Sequence, residues 1–285
     1  MSQSPPPEIF NRRLYALRRA RAATRFGAHD FLHRRAMEDI VDRLETVTRD
    51  FPRALFYGVG DLKHLVTPAC GVGAIVDGDL APARLRGSSR AVAFDEELSP
   101  FAPASFDLAV SLLSLHVAND LVGALAQLRA SLKPDGLLIA ALFAEETLGE
   151  FRTALYEAEA DCAGGVSARV APFATVRDLG AAMQRAGFAL PVVDLDRARV
   201  AYRDPARLAR DVRGMGEASC LKRRGKGLRR AAYAAALARL SEQETISFDI
   251  VTLTGWAPHP GQQKPLKPGS AQHSLADAVR NFSDR

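Results

Sequence analysis

The chain has 285 residues, 47% of them hydrophobic and 25% charged, and carries a formal net charge of +5. That composition supplies one large core and excludes wholesale disorder. No apolar run approaches the roughly 18–20 residues that span a bilayer, and the opening MSQSPPPEIF lacks the apolar stretch of a secretory signal.

Residues 8–26 and 29–49 read as two helices. In the second, Met37, Ile40, Val41, Leu44 and Val47 recur at spacings of three and four and form one apolar stripe, closed by Asp50 and Pro52. Residues 11–35 are crowded with arginine. Arg12, Arg13, Arg18, Arg19, Arg21, Arg25, Arg34 and Arg35 face a single acid, Asp30, and a second basic cluster, KRRGKGLRR, occupies 222–230. Both clusters read as solvated helix faces, and both could meet phosphates, acidic lipid or an acidic protein face. Peripheral membrane association therefore stays open. No aromatic residues interleave to stack on bases, so no nucleic-acid partner is expected.

A short apolar segment at 53–57 enters the glycine turn GVGD at 58–61. Strand-like 72–76 ends in Asp77 and Asp79, and a third strand at 91–94 is followed by Asp95, Glu96 and Glu97. The segment 106–115, FDLAVSLLSL, is a buried strand running into His116. Asn119 can cap the next helix, whose Leu121, Leu125, Leu128 and Leu132 share a face. That helix stops at LKPDG, where Pro134 cannot continue it and Gly136 supplies a turn before the strand at 137–143. Thr147 is expected to cap a helix bearing Leu148, Phe151 and Leu155. The segment 163–173 reads as a lid or loop, and Thr175 starts a helix ending at Gly187. Strands at 191–202 and 244–256 close the domain, and the chain from 257 reads as a loose tail. The expected division is N-terminal helices at 1–50, a catalytic-type domain at 51–256 and the tail at 257–285.

Strands alternating with helices at these spacings give an α/β fold, a Rossmann-like sheet of seven mostly parallel strands with helices on both faces. Such a sheet binds ligands at the carboxyl ends of its strands. Gly58 and Gly60 would let backbone approach a ligand closely. Asp79 could accept two ribose hydroxyls, and Asp95 and Glu96 could meet an adenine amino group. With Ser111 on the fourth strand, these are the cofactor-binding candidates. The late strand ETISFDIVTLTGW suits the antiparallel seventh strand of methyltransferase sheets. A dehydrogenase would need an intact GxGxxG, and only GVG is present.

The stretch 94–148 resembles the mitochondrial complex I assembly factor with arginine-hydroxylase activity and its bacterial relatives. The likeness begins at IFNRRL (9–14) and continues through 170–188, RGMGEASC (213–220) and TGW (254–256). This resemblance implies a class I fold binding S-adenosylmethionine (SAM), related to malonyl-carrier-protein methyltransferases of biotin synthesis. It also implies a protein substrate, such as a respiratory complex I subunit. The match starts near residue 9 and leaves little room for an organellar presequence, so a bacterial cytoplasmic location is expected. Cys70, Cys162 and Cys220 lie far apart with no CxxC pair, which fits a reducing compartment.

The family's first motif is an acid, an apolar residue and then GxGxG. Here LFYGVGDL (55–62) puts Phe56 at the acid and Leu62 at the third glycine. Loss of a buried charge-assisted hydrogen bond costs about 1.5–3 kcal/mol, so SAM binding is expected to be altered. His116 is the candidate substrate-facing group, because imidazole titrates near neutrality. No facial triad for iron stands out, and no metal is expected. Three readings follow: an enzyme acting on a protein, an acyl-carrier or small-molecule methyltransferase, and a non-catalytic assembly factor with a degenerate cofactor site.

Overall fold

The computed structural model describes residues 8–262. FDLAVSL, buried at every position, forms the central strand β4 (Phe106–Leu112), as a parallel strand covered on both faces must. Around it lie β1 (Phe51–Tyr57), β2 (Val72–Asp79), β3 (Ala91–Ala93), β5 (Leu132–Phe143), β6 (Ala189–Val200) and β7 (Ile246–Trp256), in the order β3-β2-β1-β4-β5-β7-β6. The first five strands are parallel, and β7 runs antiparallel between β5 and β6. This is the expected Rossmann-like sheet with its reversed seventh strand.

The helices are α1 (Arg12–Ala22), α2 (Phe31–Thr46), α3 (Leu121–Ser131), α4 (Gly149–Ala163), α5 (Val176–Arg185), α6 (Pro205–Met215) and α7 (Arg230–Leu240). Met37, Ile40 and Leu44 of α2 sink into one core with Phe56, Leu108 and Ile139. On the opposite face, Leu125 and Leu128 of α3 and Leu179 and Met183 of α5 pack with Leu55, Leu138 and Leu253.

Several boundaries differ from the sequence reading, each for a local reason. α2 stops at Thr46, because Val47 is already extended, and Pro52 lies inside β1. Asp120 rather than Asn119 caps α3, accepting from Gly123 N at 2.8 Å. The Asn119 amide is spent on the backbone of Phe10, at 2.8 and 3.2 Å. Thr147 does not cap α4, because its hydroxyl exchanges hydrogen bonds with the Asp249 backbone at 3.0 and 3.1 Å. LKPDG is an irregularity within β5, and Asp135 (φ 64°), not Gly136, takes the left-handed conformation there.

The largest departure lies between β1 and β2. A helix is expected after a nucleotide-binding loop, yet only 3-10 turns, Gly60–Leu65 and Pro68–Cys70, connect the two strands. α2 packs over both turns, and Leu62 is buried among its apolar side chains. After Trp256 the chain is described only as far as residue 262, and the rest of the expected tail lies outside the described residues.

Candidate functional site

Gly58 follows the last residue of β1 with φ +74°. A Cβ there would stand 2.7 Å from the Leu112 carbonyl and 3.3 Å from an Arg19 guanidinium nitrogen, so only glycine fits. Gly60 (φ +55°) lies beside Arg84, whose guanidinium donates to the Gly58 carbonyl at 3.4 Å. Asp79 ends β2, and Asp95 and Glu96 follow β3. The sheet thus brings Gly58, Gly60, Asp79, Asp95 and Glu96 to the carboxyl ends of neighbouring strands. Ser111 is buried there too, with its hydroxyl 3.1 Å from that of Ser114.

The carboxylates are not free. α1, capped by Asn11 through Leu14 N at 2.9 Å, turns Arg12, Tyr15, Arg19 and Ala22 inward at spacings of three and four. Arg19 is 1% exposed. It donates to both oxygens of Asp79, at 3.2 and 2.8 Å, and to Glu217 at 3.2 Å. The remaining capacity of Asp79 goes to Ala81 N at 2.8 Å, with Arg84 3.8 Å away. Arg12 holds Asp95 at 2.8–3.2 Å and pairs with Glu96. Burial alone would lower the pKa of both guanidiniums. The facing carboxylates, Glu96 and Asp95 for Arg12 and Asp79 for Arg19, outweigh it and hold both above the ordinary arginine value. Arg84, stacked 3.4 Å over the Phe26 ring, has no such match; burial and the nearby Arg19 push it down to about 10.

His116 lies in a short turn just beyond β4. Its Nε2 is 3.0 Å from Glu217, and its ring meets Phe143 and Phe173 edge-on at centroid distances of 5.0 and 5.6 Å. Glu217 also accepts from the Tyr15 hydroxyl at 3.0 Å. One chain of hydrogen bonds therefore runs Asp79–Arg19–Glu217–His116. The His116 Nδ1 is buried with no partner among the described residues, beside a cavity of about 20 Å³, room for a single water. Outward from this cavity, past Leu148, Phe173 and Val212, opens an apolar groove of about 400 Å³ between α4, α6 and the irregular segment around residue 170.

Sequence reasoning missed Arg12, Tyr15, Arg19, Arg84 and Glu217. The arginines of α1 were read as a solvated face, and for Arg12 and Arg19 that is corrected by the acids they reach. Two signals pointed to these residues: the inward spacing of Tyr15, Arg19 and Ala22, and the place of Glu217 within RGMGEASC.

This strand order, with its reversed seventh strand and acids ending β2 and β3, defines a class I SAM-dependent methyltransferase fold. A methyltransferase-domain family model matches residues 69–140. The chain is 37% identical over 263 residues to arginine-hydroxylase NDUFAF5, mitochondrial, of Danio rerio, covering 87% of this chain and 82% of that one. The Homo sapiens protein of that name is 37% identical, at 87% and 76% coverage. This chain belongs to the NDUFAF5 arginine-hydroxylase family of SAM-dependent methyltransferases. A malonyl-[acyl-carrier protein] O-methyltransferase of Halorhodospira halophila is 32% identical, covering 73% of this chain and 72% of its own. Among solved structures, the YcgJ protein of Bacillus subtilis shares the fold at 14% identity, with a TM-score of 0.53 over 79% of this chain and 99% of its own.

SAM is the cofactor of this methyltransferase family. The acids at the strand ends suit its adenosine in kind, but α1 stands where it would lie. Arg19 fills the space between Gly58 and Asp79, and Arg12 takes Asp95 and Glu96. Phe56, fully buried in the core, brings no acid to the turn after β1. In this arrangement those strand-end acids are satisfied by arginine side chains of α1 rather than left open to an adenosine.

Proposed function

We propose that the chain acts on a polypeptide, a side chain of a respiratory complex I subunit, during assembly. The observation that supports this most is the apolar groove, open to solvent at one end and narrowing to His116 and Glu217 at the carboxyl end of the sheet. Its volume of about 400 Å³ suits one large side chain with flanking backbone. Glu217 fixes His116 through Nε2 and leaves Nδ1 to hydrogen-bond or hold a proton from an entering group. The names of the relatives supply arginine as the side chain. No helix among the described residues is long and apolar enough to cross a membrane. Three free thiols favour a reducing compartment as the place of action, the cytoplasm in our reading.

The plugged cleft favours a second reading, an assembly factor that binds the subunit without turnover. Mass spectrometry of the purified complex I subunit after incubation with the protein and SAM separates them. A modified subunit, lost in His116→Ala, supports the enzyme. Stable binding with unchanged subunit mass supports the second reading. Methylation of an acyl-carrier thioester with neither of these would overturn both.

A further inference from the structure

The two basic clusters, some two hundred residues apart in sequence, meet in the fold. Arg18, Arg21 and Arg25, on the outer flank of α1 and just beyond it, face Arg210 and Arg213 of α6 and Lys222 and Arg224 of the following loop. Together they line two open hollows of about 530 and 730 Å³. Among the described residues, Arg18, Arg21, Arg25, Arg213 and Arg224 have no ion-pair partner, whereas Arg210 pairs with Asp204, Lys222 with Glu8 and Arg169 with Glu159. Arg18 has a buried guanidinium nitrogen with no hydrogen bond. Burial, joined by the crowding of Arg224, Arg21 and Arg213, lowers its pKa. Like charges gathered without counter-charge are repulsive unless an anion comes between them.

The position of this face gives it a purpose. Arg213, Ala218 and Ser219 border the basic hollows and the apolar groove alike. The segment RGMGEAS thus puts Arg213 on the outer face and Glu217 at His116, only four residues on. We propose that the basic face docks an acidic stretch of the polypeptide substrate, next to the residue that enters the groove. The inference rests on the protein-directed function above and specifies its substrate: an acidic segment followed by apolar residues. The face is concave and its lining contains no Trp, Tyr, Phe, Leu or Ile. It therefore lacks both the stacking platforms that a single-stranded nucleic acid uses and the apolar anchors that a lipid surface takes.

Fluorescence anisotropy tests it with a labelled peptide of about a dozen residues, glutamate-rich in one half and leucine-bearing in the other. Its glutamine-for-glutamate counterpart, anionic vesicles and a single-stranded oligonucleotide are the comparison probes. The acidic peptide is expected to bind and the glutamine peptide to bind about tenfold more weakly or not at all, with affinity falling steeply between about 50 and 300 mM salt. The triple variant Arg21→Glu, Arg213→Glu, Arg224→Glu alters only exposed, unpaired side chains and is expected to abolish acidic-peptide binding at unchanged Tm. Equal binding of the glutamine peptide, binding unaffected by the triple variant, or preference for vesicles or oligonucleotide would each overturn the proposal. Failure of the two inferences is distinguishable. A docked peptide with no modified subunit removes the enzymatic reading alone; a subunit still modified at the normal rate by the triple variant removes the docking face alone.

Discussion

Arg19→Ala removes the guanidinium that joins Asp79 to Glu217 at the carboxyl end of the sheet. All three side chains are nearly excluded from solvent. Breaking a buried ion pair from one side strands the other charge and costs about 3–5 kcal/mol, whereas exposed pairs are worth about 0–1. Two bonds to Asp79, one to Glu217 and one to the Tyr15 hydroxyl at 3.0 Å are lost together, which places the loss in the upper part of that range. With a urea m-value of about 3 kcal/mol/M, the unfolding midpoint should fall by about 1–2 M. Arg19→Met combined with Asp79→Asn and Glu217→Gln should recover more than half of the loss, since both stranded charges are then gone. A second readout uses SAM itself. Ligand that binds only the folded state raises Tm, so SAM should raise the Tm of Arg19→Ala by more than that of the wild type. A cost below about 1 kcal/mol, or an equal Tm rise in wild type and variant, would refute the reasoning.

Further outcomes follow from other sites. His33 is fully buried, with both ring nitrogens unpartnered among the described residues; burial, then Arg84 and Arg19, hold its pKa well below the usual histidine value of about 6.5. The unfolded chain takes up a proton below that pH and the folded one does not. Stability should therefore drop by up to about 1.4 kcal/mol per pH unit as pH falls below about 6.5, and His33→Leu should flatten urea midpoints compared at about pH 7 and 5. Phe56→Asp, which restores the family's acid, should unfold the protein rather than revive the cofactor site. Phe56 is a fully buried core residue, and circular dichroism would show the loss of fold. Gly58→Ala should cost about 1–3 kcal/mol by denaturant titration, from positive φ and contact with the Leu112 carbonyl. Burial pushes the Cys220 thiol up to about 11, so thiol reagents at neutral pH should label Cys162 well before Cys220.

The sheet was legible because its signals are local. FDLAVSL is apolar but for Asp107 and Ser111 and reads as a strand covered on both faces, and β7 showed its alternation in ISFDI. The altered first motif was legible too, as Phe56 and Leu62. What it does to the fold was not: α2 covers the turns after β1, a consequence of packing between distant segments. Asn119 and Asp120 are equal candidates for a cap by type, and only the arrival of Phe10 decides between them. Arg19 was the hardest to read. An arginine among arginines on an N-terminal helix reads as solvated, and its burial depends on a carboxylate sixty residues away and a second nearly two hundred away.

α1 borders two ligand sites with opposite faces of one short rod. Arg12, Tyr15 and Arg19 look inward on the cofactor cleft, and Arg18 and Arg21 look outward on the basic hollows. Thermodynamic reciprocity then applies: an anion that secures α1 in its seat must weaken any adenosine that needs the seat vacated, by the same factor that adenosine weakens the anion. On the proposed docking, the two ligands would act against each other through the eleven residues of α1 without touching.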